Sequence, residues 1–271
     1  MQKKIAFYGK GGIGKSTTAA NVSAALAENG YQVCQIGCDP KNDSTRLLLG
    51  RVCKQTVLDM VKKYGEEVKP EQIVHTGFGG VHCVEAGGPE PGVGCAGRGI
   101  IVALEKLKAL QALPEEAIVL YDVLGDVVCG GFAVPIREGY ATDIYIVSSG
   151  ELMSLYAANN IAKGVARYAA RGPVRLGGII GNSRGLANEQ ALLQQFAERL
   201  NTRLVAYIPR DRTVNKAEIH RKTVIEFAST APQAAVYRQL ANFICENQEL
   251  TVPTPLAFED LEELVLAYGD E

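Results

Sequence analysis

An α/β fold, with a predominantly parallel β-sheet flanked by helices, follows from three features of this sequence. A β-rich run from Lys4 to Tyr8 passes through a glycine-rich turn directly into a helical pattern from Lys15 to Glu28. Short apolar runs then alternate with amphipathic stretches, the order that builds parallel sheets covered by helices. No Pro-, Gly- or Ser-rich linker and no abrupt change of composition divides the 271 residues, so 1–271 reads as one domain.

Within the first helix, Val22, Ala25 and Leu26 lie at helical spacing and can face the sheet, and Gly30 is its stop signal. The next strand is expected over 32–37, followed by a polar connection over 38–54 and a helix over 56–63. Residues 77–99 are rich in Gly and Pro; only 81–85 reads as a strand there. Ile100, Ile101, Leu104, Leu107 and Leu110 mark an amphipathic helix. Further strands are expected over 117–122, 143–148, 176–180 and 204–208. Helices are expected over 151–170, 188–200, 213–227 and 232–245. A last stripe of Leu261, Leu264, Val265 and Tyr268 follows a start signal at Thr254-Pro255.

Composition narrows the function. Lys plus Arg total 28 against 30 Asp plus Glu, a balance that gives no support for nucleic-acid or anionic-membrane binding. No apolar run is long enough to cross a bilayer, and no leader pattern precedes the first strand, so a cytoplasmic location is the expectation. Seven cysteines at 34, 38, 53, 83, 95, 129 and 245 form no CxxC pair, and their odd number argues against a disulfide scaffold.

The strongest motif is Gly9-Lys10-Gly11-Gly12-Ile13-Gly14-Lys15-Ser16-Thr17, a GxxxxGK[ST] loop set between strand and helix, which implies a P-loop NTPase fold. Its glycines let backbone N–H groups converge on phosphates, and the helix that follows presents its positive end to the same anion. Lys15 supplies a point charge near the β- and γ-phosphates, and Ser16 an oxygen for magnesium. MgATP and MgADP are therefore the expected ligands. Leu120-Tyr121-Asp122 supplies an apolar strand ending in an acid, with Asp122 placed to reach the metal through water.

The KGGxGK[ST] form with its early Lys10 resembles the deviant P-loop family of nitrogenase iron proteins and partitioning or division-site ATPases. The resemblance implies that Lys10 reaches the nucleotide of the opposite subunit in a homodimer. The run from Gly37-Cys38-Asp39-Pro40-Lys41 through Asp43-Ser44-Thr45-Arg46 resembles switch I of the iron proteins, which implies nucleotide-dependent roles for Asp39 and Asp43. Two further segments, GGPEPGVGCAGRG and YDVLGDVVCGGF, resemble the cluster-binding motifs of that family. They imply that Cys95 and Cys129 from each subunit hold one [4Fe–4S] cluster per homodimer. They also imply that Asp126 positions or activates the hydrolytic water and that Arg98 faces a docking partner, with Phe132 and, beyond the second segment, Arg137 as further docking candidates. Asn182, Pro209 and Asp211 match the family's nucleotide-base region, although Asn and Asp also suit ordinary turns. The remaining cysteines are assigned to packing.

The function implied is ATP-dependent delivery of low-potential electrons to a nitrogenase catalytic protein, with a ferredoxin or flavodoxin as donor. Departures at Asn42, Gly139-Tyr140-Ala141 and Gly181 leave the acceptor open. Iron-protein-like reductases of tetrapyrrole biosynthesis, including nickel-sirohydrochlorin diamide cyclase and protochlorophyllide or chlorophyllide reductase, are the first alternative. A partitioning or positioning ATPase without a redox role is the second. It would share residues 9–17, dimerisation and the ATP switch without requiring Cys95 and Cys129.

Overall fold

The computed structural model describes residues 3–88, 96–123 and 133–268. Eight strands form one sheet: β1 Lys4–Tyr8, β2 Val33–Gly37, β3 His75–Thr76, β4 His82–Glu85, β5 Ile118–Asp122, β6 Asp143–Ser148, β7 Arg175–Asn182 and β8 Leu204–Ile208. Their order is β3-β4-β2-β5-β1-β6-β7-β8, and every named pair is parallel except β3 with β4. This is the α/β P-loop NTPase fold that the motif and the strand–helix alternation imply.

The helices are α1 Lys15–Glu28, α2 Arg46–Leu49, α3 Val57–Tyr64, α4 Ala96–Ala109, α5 Val134–Arg137 and α6 Leu152–Ala169, followed by α7 Glu189–Arg199, α8 Arg212–Ile219, α9 Val224–Phe227, α10 Pro232–Glu246 and α11 Phe258–Tyr268. Alternation along β1 decides which layer each residue joins. Ile5 and Phe7 pack with the buried faces of α1 and α10, whereas Ala6 and Tyr8 face the layer formed by α4, α6, α7 and α11. No described helix is long and apolar enough to cross a membrane.

Several boundaries follow from capping. Thr56 opens α3, its Oγ1 accepting the Asp59 N–H at 3.1 Å, and Thr223 caps α9 in the same way at Glu226. The expected helix near 213–227 is two helices, because Arg221 adopts a positive φ of 56° between them. The last helix begins at Phe258, three residues beyond Pro255. The edge strand β3, two residues long and antiparallel, is too short for an alternation pattern to reveal.

Cys34, Cys38, Cys53 and Cys83 are buried thiols, and Cys245 is half-buried. Gly181 also has a packing reason. A Cβ there would lie 2.9 Å from Leu193 and 3.0 Å from Tyr207, so these side chains fill the space that a larger residue would need.

Candidate nucleotide site

β1 ends at Tyr8 in the middle of the sheet, and the chain turns through residues 9–14 into α1. The turn needs glycine at specific points. At Gly9 a Cβ would collide with the Val147 carbonyl, and Gly14 caps α1 in the left-handed region at φ 96°. The loop is closed by the Ile13 N–H donating to the Lys10 carbonyl at 3.2 Å. Thr18 fixes the first turn of the helix by donating both its N–H and its hydroxyl to the Gly14 carbonyl. Gly14 has no side chain to cap the first amides of α1, which leaves them for an anion.

Lys15 is only 7% exposed, and its charge favours the ionised form of Asp122, the last residue of β5. Asp122 is 3% exposed and hydrogen-bonded to the side chains of Ser16 and Ser44. Burial raises its pKa even though Lys15 and the two hydroxyls pull the other way. Its Oδ1 has no hydrogen-bond partner among the described residues. A buried carboxylate oxygen with spare acceptor capacity beside a serine hydroxyl fits magnesium, a hard cation that takes oxygen ligands and retains water.

Above these groups lies a cavity of about 850 Å³. Residues 11–17, Asp39 and Asp43 line one side, and Asn182, Pro209 and Asp211 line the other. Asn182 closes β7 and donates its side-chain amide to the Ile13 carbonyl at 2.6 Å. Asp211 caps α8 by accepting the Thr213 N–H at 2.6 Å, and Thr213 holds its carboxyl below the usual range. The chain therefore brings residues nearly two hundred positions apart to one cavity.

Lys10 and Gly9 do not line the cavity; Lys10 is half-exposed at its edge. Arg98, in the first turn of α4, is exposed, and Arg137 is exposed with an ion pair to Glu138 at 2.7 Å. Cys95, Asp126, Cys129 and Phe132 lie outside the described residues.

Three side chains in or beside the site, Arg184, Glu189 and Glu85, had no sequence-level role, and Thr17 of the phosphate-loop motif gains a contact the motif does not announce. Arg184 donates to the Gly12 carbonyl at 2.6 Å, so it holds the P-loop beside Asn182. Thr17 donates to Glu218 at 2.9 Å, tying α1 to α8. Glu189 accepts from the backbone N–H groups of Gly150, Arg184 and Gly185 and from the Ser183 and Tyr207 hydroxyls. Burial opposes its charge, but these donors together hold its pKa below the ordinary carboxylate value. Glu85 holds the segment after Asp43 through Thr45. Local patterns do not announce such roles, since each partner lies on another element.

The chain matches the family of 4Fe-4S iron sulfur cluster binding proteins, NifH/frxC, over residues 3–271, and it belongs to that family. Among solved structures it is similar to the septum site-determining protein MinD of Pyrococcus horikoshii complexed with Mg-ADP. That likeness has 19% identity and a TM-score of 0.71, covering 91% of this chain and 97% of that one. The cell division ATPase MinD of Pyrococcus furiosus matches at 18% identity and TM-score 0.69, covering 91% and 99%. A ParA family ATPase from Chlorobium tepidum matches at 19% identity and TM-score 0.67, covering 89% and 98%.

These findings correct the narrower identification as a nitrogenase iron protein or nitrogenase-like reductase component. The folds matched along nearly their whole length are those of division-site and ParA-type ATPases. The expected oxidoreductase activity, with electron delivery to a nitrogenase or tetrapyrrole-reductase partner from a ferredoxin or flavodoxin, is corrected with it, since the solved structures matched are MinD and ParA family proteins. The [4Fe–4S] assignment is corrected with it. Among the described residues no group of three or more His, Cys, Asp or Glu side chains is placed to hold a metal ion. The thiols described are buried in the core or, at Cys245, half-buried. The alternative of an ATPase switch agrees better with what the fold assembles.

Proposed function

We propose that this member of the NifH/frxC family acts as an ATP-hydrolysing switch, a homodimer whose bound nucleotide controls engagement with a protein partner, as in partitioning and positioning ATPases. One observation carries the reading: Lys15 and Ser16 line a cavity built by the P-loop, and both interact with Asp122, buried behind them and incompletely paired. The amides of residues 11–16 and the Lys15 ammonium bind the phosphates. Asn182 and Arg184 hold the loop carbonyls from behind, so the amides keep their aim. Ser16, with Asp122 through water, would hold magnesium, which neutralises charge on the β- and γ-phosphates.

Lys10 adds charge stabilisation from the opposite subunit, and Asp39 and Asp43 respond to the nucleotide from the cavity edge. Asn182 and Asp211 serve the base or ribose side. Arg98 and Arg137, both exposed, are proposed partner contacts.

The test is phosphate release from MgATP by the purified chain, together with its oligomeric state by light scattering in ATP and in ADP. The reading expects hydrolysis that Lys15→Ala abolishes, and a dimer population that changes with nucleotide. A protein that binds no nucleotide, with wild-type and Lys15→Ala indistinguishable, would falsify it.

A further inference from the structure

Two strand ends hold the segment that follows Asp43. Glu85 closes β4 and Asp122 closes β5, and both stand in register with Gly37 at the end of β2 between them. Gly37 leaves the space open: a Cβ there would collide with the Glu85 carboxyl and lie 2.6 Å from Ser44 Cβ. Ser44 is hydrogen-bonded to the Asp122 side chain. It also receives the Gln35 side-chain amide at its carbonyl, 2.9 Å, and at its hydroxyl, 3.1 Å. Thr45 donates both its N–H and its hydroxyl to Glu85 Oε1, each at 2.7 Å. Glu85 is completely buried, and its Oε2 has no hydrogen-bond partner among the described residues.

We propose that Glu85 is a positioning residue of the ATPase site, fixing Ser44 and Thr45 so that Asp43 and Asp39 enter the cavity at a set register from Asp122. The inference rests on the ATPase reading and deepens it. Consecutive residues of one segment are anchored to different strands, Ser44 to β2 and β5 and Thr45 to β4. Residues 44–45 therefore move only with the sheet, and nucleotide-dependent movement is confined to the exposed stretch before them. Breaking the Thr45 pair would leave a carboxyl oxygen and two donors buried without partners, a far larger loss than one solvated hydrogen bond. Burial pushes the Glu85 carboxyl up to about 8 against the pull of Thr45, with Asp122 and Asp43 adding to the rise. Glu85 does not line the cavity. It acts through Thr45.

Glu85→Ala, Glu85→Gln and Thr45→Val in the full chain test this. Each is assayed for kcat and KM with MgATP, for tryptic cleavage after Lys41 and Arg46, and for thermal stability. Glu85→Ala is expected to lower kcat about tenfold with KM within about threefold, and to speed cleavage after Arg46 more than after Lys41. Glu85→Gln keeps an acceptor oxygen for Thr45 and is expected to recover kcat to within about threefold of wild type. Thr45→Val, which retains the backbone N–H, should fall between them. A folded Glu85→Ala with wild-type kcat and cleavage overturns the proposal, as does Glu85→Gln no better than Glu85→Ala. Should Glu85→Ala not fold, wild-type kcat in Thr45→Val overturns it. If wild type hydrolyses no ATP, the ATPase reading is what fails, and cleavage at Arg46 in wild type and Glu85→Ala then decides whether Glu85 holds the segment.

Discussion

The side-chain amide of Asn182 donates to the carbonyl of Ile13 at 2.6 Å, so the end of β7 braces the phosphate loop from behind. A Cβ on Gly14 would collide with the same amide, so loop and brace fit only with glycine at that position. Asn182→Ala is expected to weaken MgADP and MgATP binding about tenfold, the loss of one well-made hydrogen bond and of loop order. Calorimetric titration measures it, and unchanged affinity would remove Asn182 from the binding machinery.

Asp122→Asn should separate stability from chemistry. Burial already disfavours its charge, so the neutral amide is expected to keep or raise the thermal midpoint. Steady-state phosphate release should nevertheless fall about a hundredfold, because the amide is a poor partner for magnesium and its water.

Lys10 can be placed in one subunit or the other by mixing variants. Lys10→Ala and Lys15→Ala are each expected to be inactive as homodimers. A random mixture should recover about a quarter of wild-type activity, since half the dimers are mixed and each restores one complete site. No recovery after subunit exchange, itself verified by tagged pull-down, would mean that Lys10 acts within its own chain or not at all.

Glu189 is expected to matter for stability through loop order rather than chemistry. Glu189→Ala leaves several buried donors without an acceptor and should cost about 3 kcal/mol in urea denaturation. Its folded pKa is depressed from 4.5, so its contribution is fully present above that value and is lost as pH falls through the lower folded value. The gap between wild type and Glu189→Ala should therefore narrow in acid.

Glu85 has the opposite sign. Its folded pKa is raised from 4.5 to about 8, so the stability of its neutral form is complete below 4.5 and is lost as pH rises through about 8. Asp122 and Asp43 face it and make the same side of the titration unfavourable. Glu85→Gln should flatten this part of the pH–stability profile in nucleotide-free protein. A parallel profile in both proteins would contradict the burial argument.

Much of the fold was legible because its signals are local. Lys4–Tyr8 and Lys15–Glu28 have the expected boundaries, since β-rich residues, a glycine turn and an apolar helical stripe all act within a few positions. Strands β6 and β8 also stand where their short apolar runs indicated. The edge strand β3 was not legible, because two residues carry no period and their pairing with β4 is a tertiary event. The short helices α2 and α5 likewise lack the length for a stripe. The redox expectation drew on resemblance rather than on anything the described residues assemble, and Cys95 and Cys129 lie outside them.

What the sequence determined by itself was the strand–loop–helix unit from Lys4 to Glu28, because its β-rich run, glycine turn and apolar helical stripe each act within a few positions. Only tertiary structure decided what surrounds it. Asn182 and Arg184 reach loop carbonyls 169 and 172 residues away, and Glu85 finds Thr45 across 40 residues. A buried hydrogen bond depends on position in space, and no spacing along the chain encodes which strand ends will meet.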